Sequence, residues 1–319
     1  MNNVKFPSIQ QFRNAVSQLR RLDSVSSVEY VGYTKLHGTN ASVIVDENFN
    51  LYPQSKTRFL TVDEDNAGFA QYVQDYANKF EAMAQEILEN HPEAKLPIIM
   101  CGEFAGGNIQ RGVALNGLPK FFSVFGYGNI TNNDSIEWLP FDHDIGQYSP
   151  VIYNISQFGA YYVTIDPTNP AEVQNELVDL TVRVEAECPA GAYFGISGTG
   201  EGVVWRPLDD ELVKNKDLWF KVKGDKHSSS KVRTLASVDP EVAKSITEFV
   251  EYVTTESRLD QGITEVGGAD LANTGAFLKW LNKDIIKEES DTLAASGLEF
   301  KDVAKAISRV AVAYFKGKV

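Results

Sequence analysis

With 319 residues, of which 43% are hydrophobic and 23% charged, the chain can bury a sizeable core, and its composition excludes a disordered or fibrous class. A formal charge of −13, from 43 acidic and 30 basic residues, excludes a coat for duplex nucleic acid built on many phosphate neutralisations, though not an enzyme with its cations gathered in one groove. There is no run of about 18 apolar residues for a membrane span and no apolar leader, and Cys101 and Cys188 form neither a metal-ligand spacing nor a disulfide framework, so a cytoplasmic setting without membrane contact is expected.

In chain order, residues 41–45 read as a strand that follows the Gly38-Thr39-Asn40 turn. Phe69, Tyr72, Tyr76, Phe80, Met83 and Ile87 recur at three- and four-residue steps and predict one helix with an apolar face. Residues 96–101 read as a buried strand running into Gly102-Glu103, and residues 121–127, 202–205 and 218–222 as further strands rich in β-branched and aromatic side chains. The first part is therefore expected to be a mixed α+β domain around antiparallel sheet, spanning 1–228. Beyond His227 a serine run and the Ser237-Val238-Asp239-Pro240 turn interrupt the apolar pattern. Three helical stripes follow: Val242, Ile246, Phe249 and Val253; then Phe277, Leu278, Leu281 and Ile285; then Val303, Ile307, Val310 and Tyr314. They predict a small all-helical domain over 229–319, with the boundary near Ser228.

Five short segments carry chemistry. In Lys35-Leu36-His37-Gly38-Thr39-Asn40 a lysine precedes a glycine turn between strands, which can point its amine into a cleft. Free lysine, with a pKa of about 10.4, is protonated and not nucleophilic. Nearby cations, a metal ion or burial would favour the neutral amine, which could then attack the α-phosphorus of ATP. In Cys101-Gly102-Glu103-Phe104-Ala105-Gly106-Gly107 a carboxylate ends a buried strand beside small residues, where it can accept hydrogen bonds from a ribose. In Lys120-Phe121-Phe122-Ser123-Val124-Phe125-Gly126 a strand aromatic can stack on a purine, worth about 1–3 kcal/mol. In Glu201-Gly202-Val203-Val204-Trp205-Arg206-Pro207 a carboxylate opens an apolar strand and can hold Mg²⁺ beside phosphate oxygens. In Trp219-Phe220-Lys221-Val222-Lys223 the period-two geometry puts two cations on one strand face, where they can neutralise a triphosphate. Singly, each segment reads better as an ordinary turn, strand end, core aromatic or amphipathic strand. Their order is the informative signal.

That order resembles the nucleotidyltransferase motifs shared by ATP-dependent ligases and mRNA capping enzymes. His37, where DNA ligases usually carry Asp, and Gly102-Glu103-Phe104-Ala105-Gly106 with Ile109-Gln110 are similar to the RNA ligase 2 family, which includes phage RNA ligase 2 and the kinetoplastid RNA-editing ligases. Residues 252–258 and a helix through Asp284 resemble its helical C-terminal domain. The resemblance implies that Lys35 is adenylylated by ATP, that His37 assists AMP transfer to RNA, and that Lys221 and Lys223 act in the phosphate site. It implies that Asn40 arranges phosphate and metal (Mg²⁺ or Mn²⁺), Glu103 binds ribose, Phe122 stacks on adenine and Glu201 organises the metal. Arg206 stands where the family usually has Lys in the nucleotide site. Thr34, beside the nucleotide, replaces the Glu of phage RNA ligase 2. Where the family has an Arg for the RNA 5′-phosphate, the segment here is Gln54-Ser55-Lys56-Thr57-Arg58, which leaves Lys56 or Arg58 for that contact and for the nucleotide. Arg258 and Asp284 are implied to engage RNA.

The expected activity is RNA repair by a monomer: joining 3′-hydroxyl and 5′-phosphate ends, at nicks in double-stranded RNA, through a Lys35–AMP intermediate, in the cytoplasm, including that of an infected host cell. The alternatives are a single-strand ligase of the tRNA-repair kind and a nucleotide- or RNA-binding module without turnover. Capping enzymes and DNA ligases usually append an OB-fold barrel after the lysine pair, whereas this tail reads helical.

Overall fold

The computed structural model describes residues 2–22, 26–65, 67–110, 112–224 and 246–319. The chain runs β1 (Gln10–Gln11), α1 (Phe12–Leu19), β2 (Val28–Thr34), β3 (Thr39–Val45), β4 (Leu51–Ser55), α2 (Phe69–Asp75), α3 (Ala77–Asn90) and β5 (Ile98–Ala105). It continues through β6 (Phe121–Ile130), β7 (Ile136–Trp138), β8 (Ile152–Asn154), β9 (Ala160–Ile165), α4 (Ala171–Ala186), α5 (Pro189–Tyr193), β10 (Gly202–Pro207) and β11 (Phe220–Lys223). Among the described residues, four helices follow: α6 (Ile246–Val253), α7 (Glu256–Glu265), α8 (Thr274–Ala295) and α9 (Phe300–Lys316).

The strands form two sheets. One has the order β1-β11-β10-β2-β9, the other β4-β3-β5-β6-β7 with β8 added beside β6. Pairing is antiparallel except for β1 with β11 and β6 with β8. The expected α+β class with antiparallel sheet and a helical C-terminal region is what the chain forms.

Side-chain alternation explains how these layers stack. In β2, Val28 and Tyr30 pack with α1 and α4, whereas Val31 and Tyr33 face the other way, into a cluster shared with Ala105 and Phe121 of the second sheet. In the second sheet Val43, Val45, Ile98 and Met100 pack under α2 and α3, while Ile44, Ile99 and Cys101 face Trp219. Each sheet thus has helices on one face and its partner sheet on the other. Strands buried on both sides read as near-continuous apolar runs, which is why 96–101 was visible in the sequence.

Two expectations change in detail. The single helix expected from Phe69 to Ile87 is two, broken at Tyr76, whose φ is −119° and ψ 28°. A straight helix would drive this large ring into the buried stripe; the break leaves Tyr76 38% exposed and resting on Tyr72 at 4.8 Å. The last strand begins at Phe220, not Leu218, because Lys216–Leu218 forms a 3₁₀ turn capped by the Asn215 side chain.

The helices from Ile246 onward share their own core of Phe249, Phe277, Leu281, Ile285, Val303, Ile307 and Phe315. Helix α7 lacked a sequence signal because its buried face carries Arg258, fully enclosed, beside Leu259. The boundary expected at Ser228, and Val242 of the first helical stripe, lie outside the described residues.

Candidate active site

The two sheets meet at a cavity of about 410 Å³. Lys35 follows β2 directly, and its N–H donates to the Gly202 carbonyl at 2.8 Å, which ties the end of β2 to the start of β10. Gly202 has φ +145°, and a Cβ there would collide with the Val222 carbonyl, so only glycine lets β10 lie against β11 at this point. Glu201 is thereby placed between Lys35 and Lys223. Gly38 is required for a similar reason: a Cβ would strike the Phe104 carbonyl. The close approach lets the Gly38 N–H donate to Glu103 Oε1 at 2.9 Å.

Glu201 is the hub. Its Oε2 accepts from Lys35 Nζ at 2.8 Å and lies 3.3 Å from His37 Nδ1, and its Oε1 lies 3.0 Å from Lys223 Nζ. Burial alone would raise the Glu201 carboxyl, but Lys35 and Lys223 outweigh it and hold it well below the usual carboxylate range. Burial pushes the Lys35 ammonium down, yet Glu201 and Glu103 together hold it above its ordinary value. The neutral amine expected at Lys35 is therefore not the resting form: two carboxylates keep its proton. Burial also pushes the Glu103 carboxyl up to about 7, against the pull of Lys35.

Among the sequence-derived candidates, Thr34, Lys35, Asn40, Lys56, Glu103, Arg206 and Lys221 line the cavity, and His37, Glu201 and Lys223 join Lys35 in the carboxylate-centred cluster. Thr34 spends its hydroxyl on the Phe158 carbonyl at 2.9 Å. Arg206 is buried, bonded to the Phe125 carbonyl at 2.8 Å, with its guanidinium 4.0 Å from the Phe141 ring and 4.6 Å from that of Tyr33. It forms part of the cavity floor, a stacked cation that a lysine would not reproduce.

Four candidates lie elsewhere. Phe122 points away from the cavity into the core under α2 and α3, fully buried, with ring centroids 5.4 Å from Phe69 and 5.6 Å from Phe80. Phe125, an odd number of residues further on β6, faces the cavity instead, alongside Ile155, Val204 and Trp219. Alternation sets the two rings on opposite faces, but which face meets the cavity comes from the pairing with β5, whose register shifts beside Phe125. Arg58 does not line the cavity; it binds the Glu64 backbone carbonyl and lies 3.6 Å from the Glu64 carboxylate, which leaves Lys56 as the cation of that segment at the rim. Arg258 and Asp284 pair at 3.0 Å, and Arg258 also binds Glu289 at 2.9 Å and the Val253 carbonyl at 2.9 Å. With Arg258 wholly enclosed, that pair holds the helical region together and does not present a cation to RNA.

Two participants had no sequence signal. Lys287, on α8, lines the cavity, and its neighbour Glu288 reaches Lys221 Nζ at 3.5 Å. Adjacent charged residues on an amphipathic helix read as a solvated face. Among the described residues no group of three or more His, Cys, Asp or Glu forms a ready metal cluster. The hard oxygen donors nearest Lys35 Nζ are those of Glu201, held between Lys35 and Lys223, with the Asn40 amide in the cavity lining.

Comparison with known proteins supplies the family. Three solved structures of the Naegleria gruberi RNA ligase are similar to this chain. A variant with ATP and Mn is 13% identical at a TM-score of 0.46, covering 70% of this chain and 56% of that one. A variant with AMP and Mn is 14% identical at 0.45, covering 70% and 59%, and the ligase with PPi is 15% identical at 0.44, again covering 70% and 59%. The chain thus spans less than two thirds of the length of these proteins. The family model described as RNA ligase matches residues 28–223, more than half of the chain and every residue from Lys35 to Lys223, so the chain belongs to the RNA ligase family.

Proposed function

We propose that the chain is an ATP-dependent RNA ligase of the RNA ligase 2 branch, with Lys35 as the residue that carries AMP. The observation behind this reading is the arrangement of one amine, Lys35, against Glu201 and Glu103 at a cavity that also presents Lys221 and Lys56.

The chemistry follows from those neighbours. Glu201 and Glu103 hold the Lys35 proton at rest; a further positive charge that engages Glu201 weakens that hold, so that the ammonium releases its proton to solvent and the amine is free. The Lys35 nitrogen then attacks the α-phosphorus of ATP, a P–N bond forms, the α–β P–O bond breaks and pyrophosphate leaves. Next an RNA 5′-phosphate oxygen displaces Lys35 from phosphorus, with His37, on the same carboxylate as Lys35, placed to return the proton to the departing amine. Finally a 3′-hydroxyl attacks the activated 5′-phosphate, AMP leaves and the strand is sealed. Positioning and charge carry most of this catalysis. Lys221 and Lys223 face charge developing on the phosphates, Glu103 is placed for the ribose and Phe125 for the base. A divalent cation, Mg²⁺ or Mn²⁺, held by Glu201 and Asn40 would neutralise phosphate charge and favour in-line geometry. We assign RNA with a nick in a duplex as substrate, on the strength of the branch alone.

The test uses α-labelled ATP with Mg²⁺. Label stays on the denatured wild-type chain and is absent from Lys35→Ala. A binding module without turnover would show no label on either. Sealing of nicked double-stranded RNA should exceed that of single-stranded RNA and nicked DNA; equal joining of single strands would overturn the substrate assignment.

A further inference from the structure

The contact between α8 and Lys221 has the form of an occupied anion site. Glu288 Oε1 accepts from Lys287 Nζ at 3.0 Å and from Lys221 Nζ at 3.5 Å, while its Oε2 accepts from Gln11 Nε2 at 3.0 Å. Gln11 is placed by register, since β1 pairs in parallel with β11 and sets Gln11 opposite Lys221. The backbone is arranged around the same point. At Glu289 the helix leaves its regular path, with φ −126° and ψ 15°, and the Glu288 carbonyl accepts from Arg13 at 3.0 Å and from Gln11 at 3.3 Å. Lys56 feels Lys287 and Glu288 across the rim. One carboxylate is thus held by two ammonium groups and an amide, at the edge of the cavity that contains Lys35. These are the donors a phosphate oxygen takes.

We infer that Glu288 is an internal stand-in for the polyphosphate tail of ATP, and that Lys287 and Gln11, with Lys221, form the site into which that tail binds once Glu288 is displaced. The assignment to the tail rests on reading the cavity as the nucleotide site. It adds two binding residues from outside the segment matched to the family, one before it and one after it. Charge decides the exchange: a tail carrying several negative charges competes with a single carboxylate for the same cations, and α8 gives way at the irregular step beside Glu288. Because bound Glu288 removes a fraction of molecules from the competent state, affinity for the tail is lowered by that fraction.

Inorganic tripolyphosphate reads the site without any adenylylation. Calorimetric titration of the full chain is compared for wild type, Glu288→Gln and Lys287→Gln, with a 5′-phosphorylated RNA oligonucleotide and its 5′-hydroxyl counterpart as further ligands. Glu288→Gln keeps the shape and removes the competing charge, so the dissociation constant for tripolyphosphate falls about tenfold; Lys287→Gln, at a half-exposed position, raises it several-fold. Amide exchange across 286–290 should rise when tripolyphosphate binds wild type and stay unchanged when it binds Glu288→Gln. Unchanged or weaker binding by Glu288→Gln overturns the stand-in. Tightening confined to the 5′-phosphorylated RNA overturns the assignment to the ATP tail. If tripolyphosphate behaves as expected but Lys35 never acquires AMP, the ligase reading fails while this site stands.

Discussion

Phe122 and Phe125 separate what the motif shows from what the strand dictates. Both sit in one aromatic segment, and resemblance chose Phe122; the alternation of β6 puts that ring in the core and Phe125 at the cavity. Phe125→Ala should weaken ATP binding by about 1–3 kcal/mol while the protein stays folded, measured as a rise in KM for adenylylation. Phe122→Ala should instead cost about 3–5 kcal/mol of stability, seen as a fall in denaturation midpoint, because it empties a closed site among Phe69, Phe80 and Phe104. If Phe122→Ala raises KM without loss of stability, the assignment by face is wrong. The order of the five segments, read through the family resemblance, pointed to Lys35, Glu103, Glu201, Lys221 and Lys223, which the fold gathers at or beside the cavity. They could not show that Lys35 is held charged, because that depends on Glu201 and Glu103 arriving from strands far away in the chain.

At the scale of elements, Arg258 shows how a cation near a helix start misleads. From the resemblance it was expected to engage RNA; folded, it is the polar centre of the helical region, donating to Asp284, Glu289 and the Val253 carbonyl. Arg258→Ala leaves the buried Glu289 with the more distant Arg13 cation, at 3.5 Å, and takes the partner from the partly exposed Asp284, so it should destabilise that region by about 3 kcal/mol. Arg258→Lys should recover only part of this, since a single nitrogen cannot reach the three acceptors that Nε, Nη1 and Nη2 serve separately. Thermal unfolding checks both, and an unchanged melting curve for Arg258→Ala would contradict the structural role. The helices themselves were legible where the buried stripe is apolar, as in α9, where Val303 and Ile307 of the expected stripe are buried while Ala311 and Phe315 take the core places expected of Val310 and Tyr314. Helix α7 was not, because a buried arginine breaks the periodic signal. Helix α4 was missed although Val173, Leu177, Leu180 and Val184 repeat at helical spacing, a pattern that was open to view.

For the molecule as a whole, the contact that carries most meaning joins α8 to the strand bearing Lys221. Burial opposes the Glu288 charge, but Lys221 and Lys287 hold its carboxyl down at about 2, against an ordinary 4.5. A carboxyl depressed on folding contributes stability above its unfolded value and loses it as pH falls toward its folded one. The contribution, on the order of 3 kcal/mol, should therefore be present above pH 4.5 and fade toward pH 2. Urea unfolding at stepped acid pH should show this loss in wild type beyond that in Glu288→Gln; parallel loss in both would contradict the contact. Nothing in sequence patterning announces such a pairing, since Lys221 stands 67 residues before Glu288 and Gln11 lies near the other end of the chain. The net charge of −13 also hides it, because the cations of the cleft are few and are gathered by folding.

The proposed function turns on one bond between a side chain and a nucleotide. Incubating the full chain with ATP and Mg²⁺, then mapping its peptides by mass spectrometry under conditions that preserve P–N bonds, tests that bond directly. The account predicts a single AMP on the peptide containing Lys35, absent from Lys35→Ala. An unmodified chain, or AMP found on Lys221 or Lys223 in place of Lys35, would contradict it.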